Sequence, residues 1–123
     1  MTDRTLHDCR ILIAEDEYML AVDLEMELLD AGAIVLGPFG TVETAIEFIR
    51  TGQKIDGAIL DVSLRGQMIF PAADLLIERG IPFVLTTGYD ASVIPSRFKH
   101  CVRCEKPISM AKITLAIDRL IHP

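Results

Sequence analysis

Ile55-Asp56-Gly57-Ala58-Ile59-Leu60-Asp61 is a short apolar run that stops abruptly at a carboxylate. Residues 57–60 have the length and composition of a strand buried on both faces, so Asp61 is expected at that strand's C-terminal end, where the chain leaves the sheet. Open α/β sheets place their chemistry at that end. A second run, Arg10-Ile11-Leu12-Ile13-Ala14, ends the same way in Glu15-Asp16-Glu17. If the two strands are neighbours, Glu15, Asp16 and Asp61 share one rim. Such a cluster is costly unless a hard cation neutralises it or some carboxyls stay protonated. The expectation is a small oxygen-ligated metal site, with Mg²⁺ the first choice.

Outward from this stretch the chain alternates strand and helix signals. Tyr18 to Ala31 reads as a helix stopped by Gly32, with Leu20, Leu24, Leu28 and Ala31 as the stripe that covers a sheet. Met19, Val22, Met26 and Leu29 form a second stripe on the same helix. It is a candidate contact surface for another protein or a second copy, unless a neighbouring loop or helix covers it. Ala33 to Gly37 reads as a strand and Pro38-Phe39-Gly40 as a turn. Thr41 caps a helix running to about Thr51, and Val62 to Phe70 reads as a loop holding Arg65 and Gly66. Pro71 opens a helix over Ala72 to Arg79. Ile81 to Thr87 is a fourth strand, and residues 89–100 have poor helical period. Cys101 to Glu105 is a fifth strand, and Ser109 caps a last helix with Ile113, Ala116, Ile117, Leu120 and Ile121 on its core face. Five strands alternating with helices predict an α/β fold, a parallel doubly wound sheet with helices on both faces.

The 123 residues read as one domain, 1–123, with no second segment to serve as an output module. Half the residues are hydrophobic and the mean hydropathy is +0.37, as a sheet covered on both faces requires. The net charge of −6 offers no basic patch, so no nucleic-acid surface is expected. No apolar run approaches the ~18 residues of a membrane span, and Met1-Thr2-Asp3-Arg4 opens no signal-peptide pattern. A cytoplasmic location is the expectation. Three cysteines agree with a reducing compartment. Cys101 and Cys104 form a lone CxxC, but their odd spacing within a strand sends the side chains to opposite faces, so strand filler is preferred to zinc or dithiol chemistry. His7, His100 and His122 are scattered and read as surface residues.

In chain order the strand ends carry Glu15 and Asp16, then Asp61, then Thr87, then Lys106. Each alone is weak evidence, since caps, turns and solvated lysines use the same residue types. Together on one edge they describe a phosphoryl-transfer site, with a carboxylate nucleophile, a cation and a lysine on the equatorial oxygens, and a hydroxyl for the remaining hydrogen bond.

These pieces, Glu15-Asp16 in "ILIAEDE", Asp61 in "GAILDVSL", Thr87-Gly88 in "FVLTTGYD" and Lys106-Pro107 in "CEKP", resemble the receiver domains of two-component response regulators over essentially the whole chain. The resemblance implies a flavodoxin-like sheet with Asp61 as phosphoacceptor, taking its phosphoryl group from a histidine of a sensor kinase or phosphotransfer protein. It implies Mg²⁺ held by Glu15, Asp16, Asp61 and the backbone carbonyl of Ser63. It gives Thr87 and Lys106 the phosphoryl oxygens and makes the Lys106-Pro107 bond cis. On this reading the chain is a signalling phosphoacceptor and no enzyme acting on an external substrate. Its output partner or second copy would use helix 1 or the 89–105 face.

Two places depart from the family pattern. Val62-Ser63-Leu64-Arg65 stands where Met-Pro is common, and Arg103 stands where an aromatic residue usually swings inward. The usual Thr-to-aromatic relay therefore lacks its aromatic member. The irregular 89–100 segment points to a subset with an atypical fourth helix, where Tyr89 could screen the acyl phosphate from water. The competing readings are an unphosphorylated binding scaffold of the same fold and a small Mg²⁺-dependent phosphohydrolase. For the latter the sequence offers no Gly-rich phosphate loop.

Overall fold

The computed structural model describes residues 5–88 and 91–123. The expectations for Met1 to Arg4 and for Tyr89 lie outside the described residues. Five parallel strands form the main sheet in the order β2-β1-β3-β6-β7: β1 (Arg10–Ala14), β2 (Ile34–Phe39), β3 (Gly57–Asp61), β6 (Phe83–Thr87) and β7 (Arg103–Glu105). Between them run α1 (Tyr18–Asp30), α2 (Val42–Arg50), α3 (Phe70–Glu78) and α4 (Met110–Ile121). The expected parallel doubly wound sheet is what the chain forms.

Strand alternation divides the core. Leu12, Leu60, Phe83 and Leu85 pack with Ala45 and Ile49 of α2 and Leu76 of α3 on one face. Ile11, Ile13, Ile59 and Val84 pack with Leu24 and Leu28 of α1 and Ile113 and Ile117 of α4 on the other. Both N-caps expected from the sequence form, Thr41 accepting from the Thr44 amide at 3.1 Å and Ser109 from the Lys112 amide at 3.3 Å. Gly57 opens β3 because α4 lies directly on it. A Cβ there would come within 2.9 Å of Ile121 Cδ1 and 3.1 Å of Ile117 Cδ1.

Three local expectations need correction. The second strand does not stop at Gly37 but runs through Pro38 to Phe39, with a register shift opposite Leu12–Ala14. β2 is an edge strand, where a residue without an N–H costs no ladder bond. The 62–70 loop contains a hairpin, β4 (Ser63–Leu64) and β5 (Gln67–Met68), turned by Arg65 at φ 50° and Gly66 at φ 81°. The fifth main strand begins at Arg103, so Cys101 precedes it. Cys101 packs against the α2/α3 face and Cys104 against the α1/α4 face, on opposite sides as expected.

The segment after β6 is irregular, with 3₁₀ turns at Ala91–Val93 and Ser96–Phe98. It is anchored by Phe98, which is fully buried and stacks on Phe70 with ring centroids 5.1 Å apart. Beside it Arg97 forks onto both oxygens of Asp74, at 3.1 and 3.0 Å. Among the described residues no helix is long and apolar enough to cross a membrane.

Candidate functional site

Register brings the predicted residues to one edge. β1 and β3 pair Ala14 with Leu60, so Glu15 and Asp61 are the next rank, and β3 and β6 pair Asp61 with Thr86. Thr87 follows as the last residue of β6, and the Lys106 amide donates to its carbonyl at 2.9 Å. Glu15, Asp61, Thr86 and Thr87 are all buried.

The side chains converge on Asp61. Lys106 Nζ donates to Asp61 Oδ2 at 2.6 Å and lies 3.5 Å from Glu15 Oε1. The Ser63 amide donates to Asp61 Oδ1 at 3.1 Å, the Glu17 amide to Glu15 Oε2 at 3.0 Å, and the Arg65 amide to Asp16 Oδ2 at 2.8 Å. The hairpin turn at Arg65-Gly66 thus positions the exposed Asp16. Glu15, Asp16 and Asp61 each offer an oxygen within 4.8 Å of the others. The Lys106-Pro107 bond is cis.

Electrostatics follow from burial. Loss of water pushes the Glu15 carboxyl up to about 7; the Glu17 amide opposes this, and the charge and hydrogen bonding of Asp61 add to it. Burial alone would lower the Lys106 ammonium, but its hydrogen bond to Asp61 and the charges of Asp61 and Glu15 outweigh that and raise it. The two directions agree once distances are compared. Lys106 is committed to Asp61 at 2.6 Å and compensates Glu15 only weakly from 3.5 Å. Glu15 Oε1 is buried with no hydrogen-bond partner among the described residues. Three carboxylates against one ammonium, with one carboxylate oxygen left unbonded, are a donor set that fits a hard divalent cation.

No family model matches the chain. A response regulator receiver protein from Sinorhizobium medicae WSM419 superposes with a TM-score of 0.85 at 29% identity, over 95% of this chain and 97% of that one. SdrG from Sphingomonas melonis Fr1 is 38% identical over 89% of this chain and 96% of its own, with a TM-score of 0.76. The chain belongs to the response regulator receiver domains. The receiver is also 29% identical over 113 residues to the transcriptional regulatory protein PdtaR of Mycobacterium tuberculosis, of whose length it spans 55%.

Glu15, Asp16, Asp61, Thr87 and Lys106 come together at one sheet edge, where Ser63 joins them through its amide. The structure adds three features that the sequence reading missed. Ser63 meets Asp61 through its amide, Asp16 is held by the Arg65 amide, and Thr86 shares Asp61's rank. The Arg-Gly dipeptide was a signal for the turn, whereas Thr86's rank follows only from the pairing of β3 with β6. Arg103 is exposed on the edge strand. On α1, Met19, Met26 and Leu29 are exposed as expected, whereas Val22 is half-buried. The three histidines are exposed, although His122 Nε2 lies 3.8 Å from Cys9 Sγ.

Proposed function

We propose that this receiver is a phosphoacceptor whose Asp61 takes a phosphoryl group from the phosphohistidine of a sensor kinase or phosphotransfer protein. The observation that carries this is the Lys106–Asp61 contact at 2.6 Å inside a pocket with two further carboxylates. An Asp61 oxygen attacks phosphorus and forms an O–P bond. The N–P bond breaks, and its electron pair returns to the donor imidazole. No general base is needed, because a carboxylate attacks through an oxygen lone pair and has no O–H proton to give up.

Lys106 then follows the new charge from Asp61 to the phosphoryl oxygens, and the Thr87 hydroxyl bonds another of them. Glu15, Asp16, Asp61 and the Ser63 carbonyl would hold Mg²⁺, which when bound neutralises the carboxylates against the incoming phosphoryl group. The acyl phosphate carries about two negative charges at the end of β3 where the carboxylate carried one, and the hydroxyl and its loop respond, shifting the population of a protein-binding surface. Turnover is confined to the domain's own phosphorylation and hydrolysis, in the cytoplasm.

For the donor, the favoured docking face is α1 with the start of α4. One groove there is lined by Met19, Leu20, Asp23, Lys106, Pro107 and Met110, so the exposed methionine face runs directly into the pocket rim. A donor helix seated on it would present its histidine to Asp61. The test is incubation with acetyl phosphate and Mg²⁺, read by intact mass. Wild type should gain one phosphoryl adduct and Asp61→Asn none; equal labelling of both removes Asp61 as the acceptor.

A further inference from the structure

Thr86 is not needed by the mechanism above. It is 1% exposed, and its hydroxyl oxygen has no hydrogen-bond partner among the described residues. Its carbonyl accepts from the Val62 amide at 3.0 Å. A β-branched residue suits the middle of a sheet, but valine has the same shape and no hydroxyl to strand. An unpaired buried hydroxyl costs free energy that an apolar isostere does not. The side chain is therefore held at a cost.

Its position suggests what the hydroxyl is for. Thr86 is the register partner of Asp61 on one side and of Cys104 on the other. Along β6, Phe83 and Leu85 face the α2/α3 core and Val84 faces the α1/α4 core, so Thr86 emerges with Val84. Along β3, Ile59 shares the α1/α4 core with Val84, so Asp61 emerges on that same face. The two residues are neighbours in one rank with their side chains on the same face, their backbones about one strand spacing of ~4.8 Å apart. In the unphosphorylated protein the carboxylate has its donors already, Lys106 on Oδ2 and the Ser63 amide on Oδ1.

We infer that the Thr86 hydroxyl is a reserve donor to Asp61, engaged only when Lys106 has left for the phosphoryl group. This rests on Asp61 being the phosphoacceptor. In the acyl phosphate one Asp61 oxygen bridges to phosphorus and the other is a carbonyl without its lysine. By rotating about χ1, Thr86 supplies the missing hydrogen bond. When water attacks phosphorus, the bond between phosphorus and Asp61 breaks, its electron pair returns to the carboxylate, and the water's proton passes to solvent. A donor binds the returning carboxylate more strongly than it bound the neutral carbonyl, so Thr86 lowers the barrier to hydrolysis and shortens the signal.

The experiment compares wild type, Thr86→Val and Thr86→Ser after labelling with acetyl phosphate and Mg²⁺, removal of the donor, and intact-mass readings over time. Thr86→Val should keep its adduct about three- to tenfold longer, as expected when the strengthening of one hydrogen bond, as its acceptor passes from carbonyl to carboxylate, is lost. It should also melt no lower than wild type, because it loses an unsatisfied hydroxyl. Thr86→Ser should decay at the wild-type rate. Equal lifetimes for Thr86→Val and wild type, or a Thr86→Ser protein that behaves like Thr86→Val, would overturn the inference while leaving the acceptor in place. A wild-type protein that takes no adduct would instead remove the acceptor reading, and this inference with it.

Discussion

The two ends of the parallel sheet solve opposite problems. At the C-terminal end the buried polar groups collect, Glu15, Asp61, Thr86 and Thr87, and Glu15 Oε1 and Thr86 Oγ1 have no hydrogen-bond partner among the described residues. At the N-terminal end the polar groups are tied to backbone. The Arg10 amide donates to Asp56 Oδ2 at 2.8 Å and its guanidinium to the Lys54 carbonyl at 2.7 Å, while Arg79 closes onto the carbonyls of Ile49 and Gln53 at 2.9 and 2.8 Å. Apolar plugs, Leu6, Ile55 and Ile81, seal that end. One end is satisfied and supports the fold; the other is left under-bonded, which is what a site that gains and loses a charged group requires.

The largest effect is expected from the plug at the satisfied end. Leu6 is fully buried beneath α1, its amide on the Ala31 carbonyl at 3.2 Å. Leu6→Ala should cost about 2–5 kcal/mol in denaturant unfolding, as large-to-small core changes do. The acyl-phosphate lifetime of the folded fraction should not change. A changed lifetime would show that the two ends are coupled.

At the other end the leading lever is pH. Glu15 has its folded pKa raised from 4.5 to about 7, so its contribution is fully present below 4.5 and is lost as pH rises through 7. Without divalent cations, stability should fall across that window by on the order of 3 kcal/mol and then level off. Mg²⁺ favours the ionised cluster and should flatten or reverse the fall. A decline that Mg²⁺ leaves untouched would take Glu15 out of the metal site.

The smallest effect on stability belongs to the α1 face. Met26 is 64% exposed, so Met26→Asp should move unfolding by no more than about 0.5 kcal/mol. It should slow transfer from a phosphohistidine protein and leave labelling by acetyl phosphate alone, because the small donor needs no docking surface. Slower labelling by both donors would place Met26 in the pocket's own support.

Much of this division was legible in the sequence, because apolar runs that end in a carboxylate mark both a strand and its functional end. Asp61 after Ile59-Leu60 and Glu15 after Ile13-Ala14 mark the strand ends, and they meet at one rim because β1 and β3 are neighbours. What was not legible depended on partners distant in sequence. Pro38 reads as a turn until β2 is known to be an edge strand. Residues 96–98 read as irregular, and only the fold shows Phe98 stacked on Phe70 with Arg97 clasping Asp74. Thr86 reads as one more strand residue until its rank with Asp61 is set by pairing β3 with β6.

The role proposed for the under-bonded end is to carry a phosphoryl group on Asp61. Its most direct test is to treat the labelled protein with borohydride, which reduces an acyl phosphate at aspartate to homoserine, and to map the product by peptide mass. Homoserine at position 61, and at no other carboxylate, is the result this structure predicts. A reduced residue elsewhere, or a stable adduct that borohydride does not touch, would contradict it.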